Sequence, residues 1–95
     1  MNTAFLLMAQ YHGATIIPLE LVCRDYFSHL TPDEFTRKAT KGQIVLPVVR
    51  IETSAKAAKS VHLMDLAKWI EVRRAAAQKE LDQLQGRRLE TSPLR

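Results

Sequence analysis

Cationic side chains are unevenly distributed along the 95 residues of this chain, whose formal net charge is +4. Residues 31–60 carry six cations against three anions, whereas residues 1–30 carry one cation against two anions. Lysines and arginines that are brought together by a fold are the side chains that bind nucleic-acid phosphates. We therefore expect a nucleic-acid contact in the middle of the chain.

Phe35 and Ala39 lie four residues apart in a stretch that reads as a helix, and this spacing predicts that both face a core. The opposite side then holds Arg37, the best candidate for a base or phosphate contact, and Lys41, a candidate for a phosphate contact. One α-helix fits into the major groove of DNA, so this helix is a candidate recognition element. The alternative is a solvated helix face that happens to hold cations.

A second group of candidate contacts lies in the loop from Glu52 to Ser60 and in the strand that leads into it. Such a loop could lie along the DNA backbone or enter a minor groove, and the alternative is a mobile surface loop. The predicted DNA-binding residues are Thr36, Arg37, Lys38, Thr40, Lys41, Arg50, Ser54, Lys56 and Lys59.

Residues that would support other chemistry are few. The histidines His12, His29 and His62 are single and widely spaced, and Cys23 lies in an apolar helical stretch that predicts a buried thiol. The chain has no glycine-rich phosphate loop, no nucleophile turn and no combination of acid, base and nucleophile. We therefore expect no metal, no cofactor, no small-molecule substrate and no enzymatic activity.

No apolar run approaches the ~20 residues that a membrane-spanning helix requires. The longest such run, Ala4 to Ala9, is not preceded by the positively charged region of a signal peptide. A single cysteine excludes an intramolecular disulfide and fits a reducing compartment. We expect a cytoplasmic protein that makes no contact with a membrane.

The first third of the chain is predicted to form two helices. Ala4 to Tyr11 is apolar and composed mostly of helix formers, which favours a helix; a strand that pairs with residues 14–17 is the alternative. Pro18 suits the first turn of a helix. Apolar residues recur after it at spacings of three and four, which predicts a helix of about ten residues that ends near Phe27.

The next helix has the most complete start signal in the chain. Thr31-Pro32-Asp33-Glu34 supplies a capping threonine, a proline in the first turn and a glutamate three residues after the cap. This helix is predicted to stop at Gly42, and Gly13 and Gly86 are expected to follow helix ends in the same way. Only four residues separate it from the preceding helix, so the two are predicted to form a helix-turn-helix unit.

The character of the sequence changes after this unit. β-branched residues dominate Gln43 to Ile51, which predicts a strand with Pro47 at an edge or a bend. The cationic loop and a return strand at Val61 to Leu63 would complete a β-hairpin of the wing kind. Residues 64–85 are predicted to form a long helix, and residues 86–95 a flexible polar tail.

The last helix is longer than a small domain needs for its own core. A stripe of small and apolar residues on its distal half predicts contact with a second copy of the chain, and the alternative is an exposed helix with small alanines. The predicted dimerisation residues are Ala76, Ala77, Leu81 and Leu84.

Four segments resemble the pyocin activator protein (PrtN) family: NTAFLLMAQYHG, IPLELVCRDYF, LTPDEFTRKATKGQIVLPVVR and SAKAAKSVHLMDLAKWIEVRR. The resemblance runs from Asn2 to about Gln83 with few or no gaps, and the order of several distinctive segments makes it specific. It implies a transcriptional activator that binds promoter elements ahead of bacteriocin gene clusters, which encode phage-tail-like particles. It also implies induction with the SOS response to DNA damage.

The middle of the chain also resembles the wider excisionase and MerR-type DNA-binding architecture. There, a helix-turn-helix is followed by glycine, a strand with Leu-Pro, a wing and a helix that begins Asp-Leu-x-x-Trp/Tyr. Here Gly42, Leu46-Pro47, Arg50 and Asp65-Leu66-x-x-Trp69 occupy those places. Lys38 stands where that architecture usually has a more apolar residue.

The sequence thus predicts one α+β domain over residues 1–85, a winged helix-turn-helix with a long C-terminal helix. The expected function is sequence-specific activation of bacteriocin genes at the bacterial nucleoid. The expected partners are double-stranded promoter DNA, a second copy in a homodimer and, as a further candidate, RNA polymerase. Two alternatives are an excisionase-like architectural protein that bends DNA for a recombinase and an interaction module whose basic loop meets an acidic partner.

Overall fold

A computed structural model describes residues 2–53 and 57–91 of the chain, with side chains as far as residue 86. The described residues form four helices and a small three-stranded antiparallel sheet, an α+β arrangement as predicted. The elements in chain order are α1 (Thr3–Gln10), β1 (Ile16–Pro18), α2 (Leu19–Tyr26), α3 (Pro32–Thr40), β2 (Val49–Arg50), β3 (Lys59–His62) and α4 (Leu63–Thr91).

The predicted helix at the start of the chain is confirmed, and the alternative of a strand there is wrong. The side chain of Asn2 accepts a hydrogen bond from the backbone N–H of Ala4 at 2.7 Å, which caps α1. The chain then reverses through His12 and Gly13, both of which have positive φ. Gly13 takes this left-handed conformation, with φ of 78°, at little steric cost.

The predicted helix after Pro18 is shorter than expected and begins one residue later. Pro18 ends β1 and serves as the N-cap of α2 with an extended backbone, and it is not a residue of the first helical turn. Because proline has no N–H, it can end a strand as readily as it can begin a helix. The helix runs over 8 residues and ends at Tyr26.

The start signal of α3 forms as predicted. The Thr31 hydroxyl accepts from the Glu34 N–H at 3.2 Å, and the Glu34 carboxylate accepts from the Thr31 N–H at 2.9 Å. The helix ends at Thr40, and Gly42 follows in the left-handed conformation with φ of 77°.

The predicted strand from Gln43 to Ile51 is wrong for most of its length, because only Val49–Arg50 pairs with β3. Pro47 cannot donate to a ladder, and Leu46 is buried in the core beside the exposed Val45. Residues 43–48 therefore connect α3 to the sheet as irregular backbone held by one buried leucine.

The sheet has the order β1-β3-β2. Ile17 lies opposite Val61, and both are 0% exposed, so this face of the sheet covers the core. The β2–β3 hairpin was predicted, although its return strand, Lys59–His62, begins two residues earlier than expected. The pairing of β1 with β3 was not.

The core lies between this sheet face and the helices. It is built from residues of every helix and of β1, β3 and the irregular connection. Its buried apolar residues are Leu7, Tyr11, Ile17, Leu19, Val22, Cys23, Phe27, Phe35, Leu46, Val61, Leu63, Leu66 and Ala67. The prediction of a buried Cys23 thiol is therefore confirmed.

No loop separates β3 from α4. His62 ends the strand and its ring Nδ1 accepts from the Met64 N–H at 3.0 Å, while the Leu63 N–H donates to the Thr15 carbonyl at 2.8 Å. These two bonds use backbone N–H groups that have no partner within the first turn of a helix. The direction of β3 therefore fixes the direction of α4.

The helix α4 extends over 29 residues, about 44 Å at 1.5 Å per residue. It continues to Thr91, so the predicted tail from residue 86 begins too early; residues 92–95 lie outside the described part. Gly86 does not adopt positive φ and does not end the helix, in contrast to the other two glycines. Among the described residues, no helix has the length and apolarity to cross a membrane.

Candidate nucleic-acid interface

Aromatic packing fixes α3 relative to its neighbours. Phe35 is 0% exposed, and its ring meets the edge of Phe27 with centroids 4.9 Å apart. Phe27, which follows α2, also packs against Trp69 of α4, with the two ring centroids 4.8 Å apart. Such pairs contribute about 0.5–1.5 kcal/mol each beyond the burial of their area. The buried side of α3 is thus the one that Phe35 and Ala39 predicted, and its other side faces solvent.

The exposed side of α3 carries the cations that the sequence indicated. Arg37, Lys38 and Lys41 are all exposed, so Lys38 faces solvent and not the core. These three residues line one shallow concavity together with Glu34 and Gln43. Cationic side chains that share a concave surface are placed to approach neighbouring phosphates.

Glu34 is the one anion in this concavity. The backbone hydrogen bond from Thr31 and the Thr31 side chain lower the pKa of its carboxyl, and the nearby charges of Arg37 and Lys38 lower it further. Glu34 is therefore ionised at neutral pH but held by the helix cap. Three cations against this one anion leave the concavity positively charged.

Two threonines lie on the other flank of α3. The Thr36 hydroxyl donates to the Pro32 carbonyl, and the Thr40 hydroxyl donates to the Thr36 carbonyl, each at 2.8 Å. With its proton engaged by the backbone, each hydroxyl presents an oxygen that accepts hydrogen bonds. Acceptors of this kind suit the exocyclic amino groups of adenine and cytosine in the major groove.

The structure brings α3 and the hairpin together on this second flank. Thr36, Thr40 and Arg50 line one groove of about 410 Å³, with Leu46 and Pro47 of the connection between them. The predicted contacts of the helix and of β2 therefore form one surface. Sequence spacing could not show this, because it depends on the path of the irregular connection.

Lys59 belongs to the same side of the molecule. It lies opposite Arg50 in the antiparallel pair, and cross-strand neighbours project from one face of a sheet. Side chains alternate along a strand, so Lys59 shares that face with Val61, which is buried under the helices. Arg50 and Lys59 therefore extend the core-covering face of the sheet beyond the core. Ser54 and Lys56 lie outside the described residues, and their predicted contacts stay predictions.

Gln43 was not among the predicted contacts, yet it lines the concavity with the cations of α3. Its position directly after the glycine that ends the helix was the available signal. A glutamine amide both donates and accepts, which suits an adenine edge.

A polar cluster joins the C-terminal end of α1 to the C-terminal end of α2. The Tyr11 hydroxyl donates to the Asp25 carboxylate at 2.6 Å, and the Arg24 guanidinium pairs with the same carboxylate at 2.8 Å. The Arg24 and Tyr11 hydrogen bonds hold the pKa of Asp25 below its ordinary value. Burial and the Asp25 hydrogen bond raise the pKa of Tyr11. This cluster braces α1 and does not extend the cationic surface.

The distal half of α4 leaves its apolar residues uncovered. Leu81 is 47% and Leu84 60% exposed, and Ala77 is exposed as well. These three recur at spacings of four and three, so they share one side of the helix. Ala76, the other residue predicted in this stripe, lies about 100° around the helix from Ala77.

One comparison bears on the identity of the chain. A family model described as pyocin activator protein PrtN matches residues 3–77. Comparison with curated proteins and with solved structures gives no significant match. The family match covers every described element except the distal half of α4.

Proposed function

The chain belongs to the family of pyocin activator protein PrtN, and from this premise we propose that it activates pyocin genes by binding their promoter DNA. The family is one of regulatory activators and not of enzymes, which makes the chain a regulator of pyocin genes. It acts as a winged helix-turn-helix protein. It works at the nucleoid, in the cytoplasm, under control of the SOS response.

The single observation that supports DNA binding is the continuous surface formed by α3 and the β2–β3 hairpin. One flank of α3 holds Arg37, Lys38 and Lys41, and the other shares a groove with Arg50. In the proposed complex α3 enters the major groove. Its exposed side faces the bases, because its other side is buried against the core. The hairpin follows the adjacent DNA backbone, which Arg50 and Lys59 contact.

The roles of the side chains follow from their chemistry. Arg37, in the middle of the exposed side, reads a guanine edge or binds a phosphate. Thr36 and Thr40 accept from base amino groups, because their protons are already given to backbone carbonyls. Lys38 and Lys41 bind phosphates on one side of the DNA major groove, and Arg50 binds phosphates on the other side.

The experiment compares the full chain with Arg37→Ala, Arg50→Ala and the double variant on a pyocin-gene promoter fragment, by fluorescence anisotropy over a range of salt. Each arginine that neutralises a phosphate should contribute about 0.9 to the slope of log affinity against log salt. The matched control is Lys79→Ala, an exposed cation on the distal half of α4. If the double variant binds like the control, the proposed surface is wrong.

A circular-permutation gel shift on the same fragment tests the excisionase-like alternative. A transcriptional activator should raise reporter expression from the promoter in cells that lack any recombinase. Strong bending of the fragment without any such activation would instead favour the architectural role.

A further inference from the structure

The proposed DNA contact does not involve the uncovered apolar stripe on the distal half of α4. Ala77, Leu81 and Leu84 face away from any element of the described chain, and the helix continues well beyond the core. Large apolar side chains left in a row on a projecting helix mark a contact with another helix.

The flanks of this stripe carry charges in an order that selects the partner. Arg73 and Glu80 are seven residues apart, two helical turns, so they lie on the same flank of the stripe. The other flank carries Gln78, whose amide donates to Asp82 at 3.0 Å, and Glu71, which pairs with Arg74 at 3.9 Å. On the first flank, the cation Arg73 therefore lies nearer the core and the anion Glu80 lies one heptad beyond it.

We propose that a second copy of this chain packs its α4 antiparallel against this stripe. In an antiparallel pair related by a two-fold axis, each flank meets the same flank of the other helix. Arg73 then faces Glu80 of the second copy, and the symmetry makes this contact twice. A parallel pair would place Arg73 against the neutral Gln78 and create no charge pair on this flank.

The same pairing gives the leucine stripe a place to pack. When Arg73 lies beside Glu80 of the second copy, the heptad positions bring Leu81 of that copy next to Ile70. Ile70 is half-buried and lines a groove of about 800 Å³ between α1 and α4, whose walls include the exposed Leu6. Ala77 of the second copy meets the aliphatic stem of Arg74, which lines the same groove.

Sedimentation equilibrium of the full chain without DNA tests the proposal, so its outcome is separate from that of DNA binding. The expected mass is twice the chain mass of 10.8 kDa. Leu81→Glu with Leu84→Glu should weaken the dimer by roughly 100-fold, because in each copy a charge replaces Leu81, which packs against Ile70, and a second charge replaces Leu84 of the same stripe. Circular dichroism checks that this variant, whose changes are at exposed positions, keeps its helix.

Charge reversal tests the direction of the pair. Arg73→Glu or Glu80→Arg alone should weaken the dimer by roughly tenfold, because two symmetric attractions become repulsions. The double reversal should restore the dimer, since each copy then supplies both reversed charges. The control is Lys79→Glu, which lies on the side of α4 opposite the stripe and should change nothing.

A chain that stays monomeric at high concentration would overturn the proposal. A dimer that ignores both single reversals would overturn the antiparallel arrangement.

Discussion

Replacement of Phe35 by alanine should remove much of the stability of the domain. Phe35 is 0% exposed, and its ring edge packs on Phe27 with centroids 4.9 Å apart. A buried phenylalanine replaced by alanine costs about 3–5 kcal/mol, because the lost contacts leave a cavity. A 95-residue domain has an unfolding free energy of about 5–14 kcal/mol. The substitution should therefore remove roughly a fifth or more of that stability.

Urea denaturation followed by Trp69 fluorescence measures this loss. Trp69 is the one tryptophan in the chain and contacts Phe27, so its emission reports on the packing that holds α3. The matched control is Phe5→Ala, since Phe5 is 60% exposed on α1 and should change stability by about 0.5 kcal/mol or less. A loss below about 1 kcal/mol for Phe35→Ala would refute the view that Phe35 anchors α3.

Three further predictions concern the helix cap, the polar cluster and the thiol. Because the folded pKa of Glu34 is lowered, its contribution to stability is complete above its unfolded pKa of about 4.3 and is lost as pH falls through the lower folded value; urea midpoints at pH 7 and pH 3 should therefore differ less for Glu34→Gln than for the unchanged chain. Tyr11→Phe removes the hydrogen bond to the Asp25 carboxylate, so NMR titration should show a raised pKa for Asp25, and an unchanged pKa would contradict the contact. Burial raises the pKa of Cys23, so Ellman's reagent should react with it far more slowly in the folded chain than in 8 M urea (about the usual unfolding concentration); equal rates would show an accessible thiol.

Local signals predicted the helices well. Thr31 and Glu34 specify the start of α3 because both partners of each cap hydrogen bond lie within four residues. The stop after Thr40 is equally local, because Gly42 takes the left-handed conformation that ends the helix.

The sheet could not be predicted to the same degree, because its pairings are distant in sequence. β1 is only three residues long and exists through its register with β3, with Ile17 opposite Val61. Residues 43–48 have the composition of a strand, but burial of Leu46 and the missing N–H of Pro47 take them out of the ladder.

The candidate site was likewise predicted where it depends on local spacing and was not predicted where it depends on distant contacts. The spacing of Phe35 and Ala39 was sufficient to assign the exposed cations of α3. The groove that joins Thr40 to Arg50 depends on how the irregular connection crosses the molecule, and helical periodicity carries no information on that path.

Because β3 passes directly into α4, the hairpin and the long helix change orientation together. His62 and Leu63 anchor the pivot with hydrogen bonds on both sides of the junction. A tilt of only about 5° there would swing the far end of a helix about 44 Å long through roughly 4 Å. If DNA binds as proposed, a strain that it imposes on the β2–β3 hairpin would therefore produce a larger displacement at the far end of α4.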